Sequence, residues 1–350
     1  MSYTKYSENI HEAISAREII EAKGMGSDMK KVFVLGGTGF LGFYTTKELL
    51  KRGYSVSTVA LPPMPAETLL PKEVDCQLGD ITKMSDEQVL TLLDGCYGFV
   101  YAAGVDERVL PDAPAMKFFY EQNVLPTQRM ARLAKKAGVK KFVIFGSYFS
   151  HFAEAWPDLE LKKVNAYPRT RLLQEEVAFM EGEGGMDVMS IRPSYIFGVM
   201  PGRLPLWSVF VDQVRNQEVV PVFGGGTAMV TVQQVAEAAV GAIENGTHRT
   251  GYAIGDTNMK FKDFYQMIAD VLGQKETKIT VVPLEQMLPT MEELDAKCAA
   301  EGKEHGIHMI YSAMIQDRDA YLNPEDTMTV LNIKKADIPA VIKETIAVCV

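Results

Sequence analysis

The sequence predicts a doubly wound α/β fold: a parallel sheet with helices on both faces, followed by a smaller lobe. Three observations point there. From Lys31 to about Arg192, apolar runs of strand length alternate with helical patterns. The first run, Val32-Phe33-Val34-Leu35, stops at a glycine cluster, Gly36, Gly37 and Gly39, and a helical pattern opens directly after it at Phe40. The chain has 350 residues, 47% of them hydrophobic and 23% charged, which suits a soluble globular protein with a large core.

The elements follow in order. A strand over 31–36 reads as buried on both faces, because its apolar run is continuous. Gly36 permits a tight turn, Gly39 lets backbone approach a pyrophosphate, and Gly42 lets the next helix pack closely on the strand. Thr38, Phe40 and Leu41 complete this turn and the first helical turn. There, unpaired N–H groups and the positive end of the helix dipole would face phosphates. The helix runs to about Arg52, with Gly53 placed to end it. Further strands are expected over 54–60, 74–78, 98–102, 140–146 and 187–192, and further helices over 86–94, 115–136 and 167–183.

After Arg192 the rhythm loosens. Pro193, Pro201, Pro205 and Pro221 break the chain, and glycines cluster at Gly224 to Gly226. The expected organisation is therefore a dinucleotide-binding unit over 31–192 and a substrate-binding lobe over 193–350. A short strand near 251–256 is placed to rejoin the main sheet, Met287 to Glu304 reads as an extra helix, and Ala336 to Ala347 as a closing one. Residues 1–30 stand apart. Ile10, Ala13, Ile14 and Ile20 mark one face of a helix that Gly24 would end. That face would pack on the body or on a second subunit, so a homodimer is one expected assembly.

Composition excludes several classes. A net charge of −9 argues against a general nucleic-acid surface. No apolar run is long enough to span a membrane, and the polar N-terminus lacks the apolar stretch of a signal peptide. Cys76, Cys96, Cys298 and Cys349 are scattered, with no Cys-x-x-Cys, as in a reduced cytoplasmic protein. His305 and His308, with Cys298 upstream, read as a solvated helix end, and no metal is expected.

The remaining motifs recur in a familiar order. Gly79-Asp80-Ile81 follows the third strand, Ala102-Ala103-Gly104 the fourth, and Asn123-Val124 with Thr127 lie in the long helix. Gly146-Ser147 follows the fifth strand, Tyr167 opens a helix, and Arg192-Pro193-Ser194 with Gly198 follows the sixth. Together these resemble an extended short-chain dehydrogenase/reductase, of the epimerase/dehydratase and dihydroflavonol reductase-like kind, over roughly residues 31–350. The resemblance implies a Rossmann-type sheet, a bound NAD or NADP and a small-molecule substrate. It implies cofactor contacts from Gly36, Thr38, Gly39, Phe40, Leu41, Asp80, Ile81, Ala102, Ala103, Gly104, Tyr167, Arg171 and Pro193. It also implies a catalytic set of Tyr167 as general acid/base, the cation at 171, and a hydroxyl near Ser147. Elementary chemistry agrees: residues 167 and 171 share a helix face, and a cation beside a phenol, whose ordinary pKa is about 10, favours the phenolate.

Three positions depart from the family pattern. Residue 171 is arginine, which supplies fixed charge but relays no proton. In Gly146-Ser147-Tyr148-Phe149-Ser150, Tyr148 falls where the family's hydroxyl can lie, so Ser147 is the first candidate and Ser150 the second. The second strand ends Val59-Ala60-Leu61-Pro62, with neither the acid that would bind a ribose 2′-hydroxyl nor an arginine for a 2′-phosphate; without an acid nothing repels the phosphate, which leans the expectation slightly to NADP over NAD. On the substrate side, Trp207, Phe210, Met200, Phe223 and Met229 are either pocket or core, and only Arg203 and Arg215 are available between 200 and 235 to hold a sugar diphosphate. The leading expectation is an NAD(P)-dependent oxidoreductase acting on a carbonyl or secondary alcohol of a fairly apolar molecule. The alternatives are a sugar-nucleotide epimerase or dehydratase, and a dinucleotide-binding protein without catalysis.

Overall fold

In the computed structural model, residues 29–62 and 69–350 are described; the helix expected within the first thirty residues lies outside them. The main sheet has seven strands: β1 (Lys31–Leu35), β2 (Ser55–Ala60), β3 (Asp75–Leu78), β4 (Cys96–Tyr101), β5 (Lys141–Phe145), β6 (Asp187–Pro193) and β10 (Thr250–Ile254). Their order across the sheet is β10-β6-β5-β4-β1-β2-β3, and every pairing is parallel. The chain winds outward one way from β1 to β3, then returns to lay β4 on the other side of β1. That reversal opens a crevice at the C-terminal ends of β1 and β4, where such sheets bind ligands.

Alternation along β1 explains the two layers. Val32 and Val34 face a cluster that includes Leu49 of the helix Phe40–Lys51 and Val235, Ala239 and Ile243 of the helix Val232–Asn245. Phe33 and Leu35 face the opposite cluster, with Val89, Leu133, Ala134 and Phe179 from the helices Asp86–Leu93, Leu125–Lys136 and Ala166–Gly182. Both faces are covered, so the strand is apolar throughout, as its sequence run requires.

The long helix expected over 115–136 is interrupted by a π-helical turn, Tyr120–Val124, between Ala115–Phe119 and Leu125–Lys136. Pro126 is the physical reason. It has no N–H to give to the preceding turn, so the helix accommodates an extra residue there.

The second half is more regular than the sequence reading expects. Helices Tyr148–Ala155, Ser208–Val214, Val232–Asn245, Phe261–Val271 and Met309–Gln316 were not anticipated. Val232–Asn245 covers the main sheet together with the helix Phe40–Lys51, and β10 then pairs with β6. The start of Val232–Asn245 is fixed by a capping box, in which Thr231 and Gln234 each accept the other's backbone N–H. The expected helices near 287–304 and 336–347 occur as Leu284–Ala300 and Ile338–Ala347.

The lobe beyond the sheet is built on β7 (Tyr195–Phe197), β8 (Val219–Val222), β9 (Gly226–Thr231), β11 (Thr257–Lys260), β12 (Lys278–Val281) and β13 (Asp319–Ala320). β9 is central, between β11 and β13 and also paired with β7, while β8 pairs with β12. Its own core holds Phe197 stacked on Trp207, with Met229, Phe264, Ile338 and Ile342 around them. Trp207, Phe210 and Met229 are thus lobe core rather than pocket wall.

Candidate active site

The crevice between β1 and β4 is floored by glycine. Gly36 has φ of +86°, and a Cβ on it would lie 2.5 Å from the Ala102 carbonyl oxygen. The turns after β1 and β4 therefore touch only because position 36 has no side chain. Gly39 is the N-cap of the helix Phe40–Lys51, with extended backbone and no capping side chain, so the first-turn N–H groups face the crevice unclaimed by any cap. A Cβ on Gly39 would meet little of the protein, its nearest neighbour being the Gly36 carbonyl oxygen at 3.2 Å. A Cβ on Gly42 would stand 2.1 Å from that same oxygen, so Gly42 sets the helix against the turn. Thr58 of β2 reinforces this: its hydroxyl accepts from Gly37 N–H at 3.2 Å and donates to the Val34 carbonyl at 2.7 Å.

The other expected cofactor residues lie at the C-terminal ends of the strands of the same sheet. Asp80 follows β3, and its carboxylate accepts from the Thr82 hydroxyl and amide, which hold it below the usual carboxylate range. Ala102 N–H donates to Leu35 at 2.9 Å, continuing the β1–β4 pairing into the turn. Gly104 has φ of +129° and sits against Asn123 Oδ1. Buried Asn123, in the π-helical turn, bonds both the N–H and the carbonyl of Val105, each at 2.9 Å, and so fixes the loop after β4. Pro193 ends β6 opposite Ile254.

Tyr167, Arg171 and Ser147 come together at the mouth of β5. Tyr167 lies in the first turn of the helix Ala166–Gly182, with Arg171 one turn on and its guanidinium carbon 5.6 Å from the Tyr167 ring centre. Both are buried. Arg171 donates through Nη2 to the carbonyl of Phe145, the last residue of β5, while its Nε is buried with no partner. Ser147 is the N-cap of the helix Tyr148–Ala155, its hydroxyl accepting from Phe149 N–H at 3.2 Å. Ser150 is fully buried and its hydroxyl has no partner.

Burial pushes the Tyr167 phenol well above its ordinary range. Arg171 and the nearby Ser147 hydroxyl pull it down, and the carboxylates of Glu107 and Asp106 push it further up. The cation at 171 alone favours the phenolate, but desolvation of the buried phenol outweighs it.

The ring of Tyr167 is packed among aromatic side chains. Phe119 and Phe149 meet its ring edge-on at 5.3 and 6.2 Å. Tyr148, Ile307, Tyr195, Tyr311 and Met314 belong to the same cluster. Asn123, Tyr195 and the 307–314 segment are contributions that the sequence reading did not assign to pocket or clamp. Asn123 was visible as a motif but without a task, and the 307–314 segment carries no motif at all. Arg203 is exposed, and Arg215 is paired with Asp212 at 3.6 Å and reaches the Cys349 carbonyl at 3.4 Å.

The residues fit a dinucleotide. The glycine floor leaves room where a Cβ would intrude, and the helix start offers uncapped N–H groups. Among the described residues, no group of three or more His, Cys, Asp or Glu is placed to hold a metal ion, and no helix is long and apolar enough to cross a membrane.

Comparison with known proteins agrees. A protein of Synechocystis sp. with the provisional name dihydroflavonol 4-reductase is 24% identical over 265 residues, covering 71% of this chain and 74% of its own length. The human sterol-4-alpha-carboxylate 3-dehydrogenase, decarboxylating, is 27% identical over 223 residues, covering 61% of this chain and 57% of its own. The crystal structure of gox2253 superposes with a TM-score of 0.73 at 18% identity, covering 92% of this chain and 97% of that one, which establishes the shared fold. The model of the NAD dependent epimerase/dehydratase family matches residues 32–255. The chain belongs to that family, and with it to the extended short-chain dehydrogenase/reductases, whose chemistry is NAD(P)-dependent oxidoreduction.

Proposed function

We propose that this oxidoreductase interconverts a ketone and a secondary alcohol on an apolar ring system, with Tyr167 as the general acid/base. The observation that carries the reading is the wall around Tyr167. Phe119 and Phe149 meet its ring, Tyr148, Tyr195 and Ile307 belong to the same cluster, and of the arginines between 200 and 235 Arg215 is paired with Asp212 while Arg203 is exposed. A sugar diphosphate would need cations there, whereas a sterol-like or flavonoid-like molecule needs apolar surface. The two relatives named above act, by their names, on molecules of that kind.

The roles follow from the geometry. The turn Gly36–Leu41 takes the pyrophosphate on backbone N–H groups. Asp80 and Ile81 would hold the adenosine end, and Ala102 to Gly104 and Pro193 the nicotinamide end. The Arg171 guanidinium would donate to the ribose hydroxyls. When bound, the nicotinamide supplies or receives the hydride. Tyr167 exchanges the proton on the substrate oxygen. The phenol, protonated at neutral pH, donates that proton when a ketone is reduced, and as phenolate it takes the proton when an alcohol is oxidised. Ser147, whose hydroxyl caps the helix Tyr148–Ala155 beside the start of the Tyr167 helix, is the hydroxyl that aligns the substrate oxygen, in preference to the enclosed Ser150. The acid-free end of β2 favours NADP. The cofactor-binding unit is best drawn as 31–192 together with 232–254, and four free thiols suit a reducing, cytoplasmic setting, which imaging of a tagged chain tests.

The test is turnover of a 3-ketosteroid, a dihydroflavonol and UDP-glucose, each with NADH and NADPH. Reduction of an apolar ketone supports the reading. Epimerisation of UDP-glucose alone selects the sugar-nucleotide alternative, and tight cofactor binding without any turnover selects a non-catalytic protein.

A further inference from the structure

We propose that the segment Gly302–His308, outside the region matched by the family, is a positioning strap that caps the helix carrying Tyr167 and holds that residue in register. The inference rests on the role of Tyr167 proposed above.

The start of the helix Ala166–Gly182 lacks an ordinary cap. Asn165 occupies the N-cap position, but its side chain caps nothing in its own helix. Its Oδ1 instead accepts from His308 N–H at 2.9 Å, across the strap. The first-turn N–H of Tyr167, an orphan donor in an uncapped helix, donates to the Gly306 carbonyl at 2.7 Å. The strap thus supplies from outside what a capping side chain supplies from within.

Position 306 admits only glycine. A Cβ there would lie 2.6 and 2.8 Å from ring carbons of Phe119 and 3.1 Å from Tyr167 Cβ. The strap is also fastened at both ends. Its N-terminal part is tied to the loop before helix Ala115–Phe119, through Ala113 N–H to the Gly302 carbonyl at 2.9 Å and Ala115 N–H to Glu304 Oε2 at 2.8 Å. Its C-terminal part is tied by Asp295, whose carboxylate accepts from Met309 and Ile310 N–H at 2.9 and 3.2 Å and lies 3.0 Å from His305 Nδ1. Asp295 touches neither Tyr167 nor the glycine crevice, so it is a handle on the strap alone.

A displacement of about 1 Å at a reacting group costs on the order of a hundredfold in rate. In the full chain, Gly306→Ala is expected to lower kcat for a 3-ketosteroid about a hundredfold. Asp295→Ala should lower it about tenfold, and Asp295→Asn, which retains an oxygen acceptor, should recover most of the loss. Affinity for NADPH, measured by calorimetry, should stay within about twofold of the parent in all three, because the glycine crevice is untouched. Hydrogen exchange followed by mass spectrometry adds a readout free of turnover: the peptide over 166–172 should exchange faster in Asp295→Ala, and the peptide over 32–45 should not. Unchanged exchange over 166–172 in Asp295→Ala overturns the strap, whether or not Gly306→Ala folds. Faster exchange with parental kcat overturns its positioning role. A parent chain that turns over no substrate defeats the functional reading instead, and exchange alone then judges whether the strap caps the helix.

Discussion

Replacing Arg171 by methionine tests the electrostatics of the site most sharply. The guanidinium carbon stands 5.6 Å from the centre of the Tyr167 ring, and both groups are buried. At an effective dielectric constant of about 20, a unit charge at that distance stabilises a phenolate by about 3 kcal/mol. That corresponds to about two pH units in the phenol's pKa. Alcohol oxidation needs the phenolate, so in that direction the rate below the pKa follows the ionised fraction. The Arg171→Met variant should therefore oxidise a 3β-hydroxysteroid about a hundredfold more slowly at pH 8, with its pH–rate limb moved upward. Arg171→Lys should restore most of the rate, since it returns the charge though not the guanidinium's hydrogen-bond geometry. Calorimetry with NADP separates this from lost ribose contacts, which change affinity but not the position of the limb. A methionine variant with an unmoved limb and parental rate would show that Arg171 does not act on Tyr167.

Tyr167→Phe should keep NADP affinity nearly intact and lose about two to four powers of ten in kcat, measured by cofactor absorbance. Gly39→Val should fold with near-parental melting temperature yet lose cofactor binding in calorimetry, because its side chain intrudes on the phosphates rather than the protein. Gly42→Ala should instead lower stability by about 1–3 kcal/mol in urea titration, since its Cβ collides with the Gly36 carbonyl. Glu175→Ala should cost about 3–5 kcal/mol by the same titration: Glu175 is 2% exposed and pairs with Arg192, which would be left charged, buried and short of a partner. Burial raises the phenols of Tyr148, Tyr167 and Tyr195 on folding, so above pH of about 10 the unfolded chain releases protons that the native one retains. Stability should then fall as pH rises through that range, and urea midpoints at pH 9 and 11 check it.

The first half of the chain was legible because each element there announces itself locally. β1 is a continuous apolar run stopped by glycine, and a strand buried on both faces between two helical layers has no other way to be written. The crevice followed from the same letters, since Gly36, Gly39 and Gly42 each answer to one close approach. The second half was illegible for a different reason. Val232–Asn245 has apolar residues almost all round, because it is wedged between the sheet and Leu331, where a Cβ on Gly241 would lie 1.9 Å from the Leu331 carbonyl oxygen. Its buried face includes Gln234 and Glu237, polar letters that mask a core helix in the sequence, although the Thr231–Gln234 capping box marked its start. Tyr167 and Arg171 could be paired from their spacing, but the balance between charge and burial could not. The aromatic wall that raises the phenol comes from helices far apart in sequence. Gly306 sits in no motif; its task depends on Phe119 and Tyr167 arriving beside it.

The most direct test of the central claim is isotopic. The chain is incubated with NADPH deuterated at the transferring position of nicotinamide C4 and with a 3-ketosteroid, and the product is analysed by mass spectrometry. The account predicts a 3-hydroxysteroid carrying one deuterium at the carbinol carbon, formed by the parent chain and not by Tyr167→Phe. Absence of label in any steroid alcohol, with UDP-glucose epimerised by the same preparation, would contradict it.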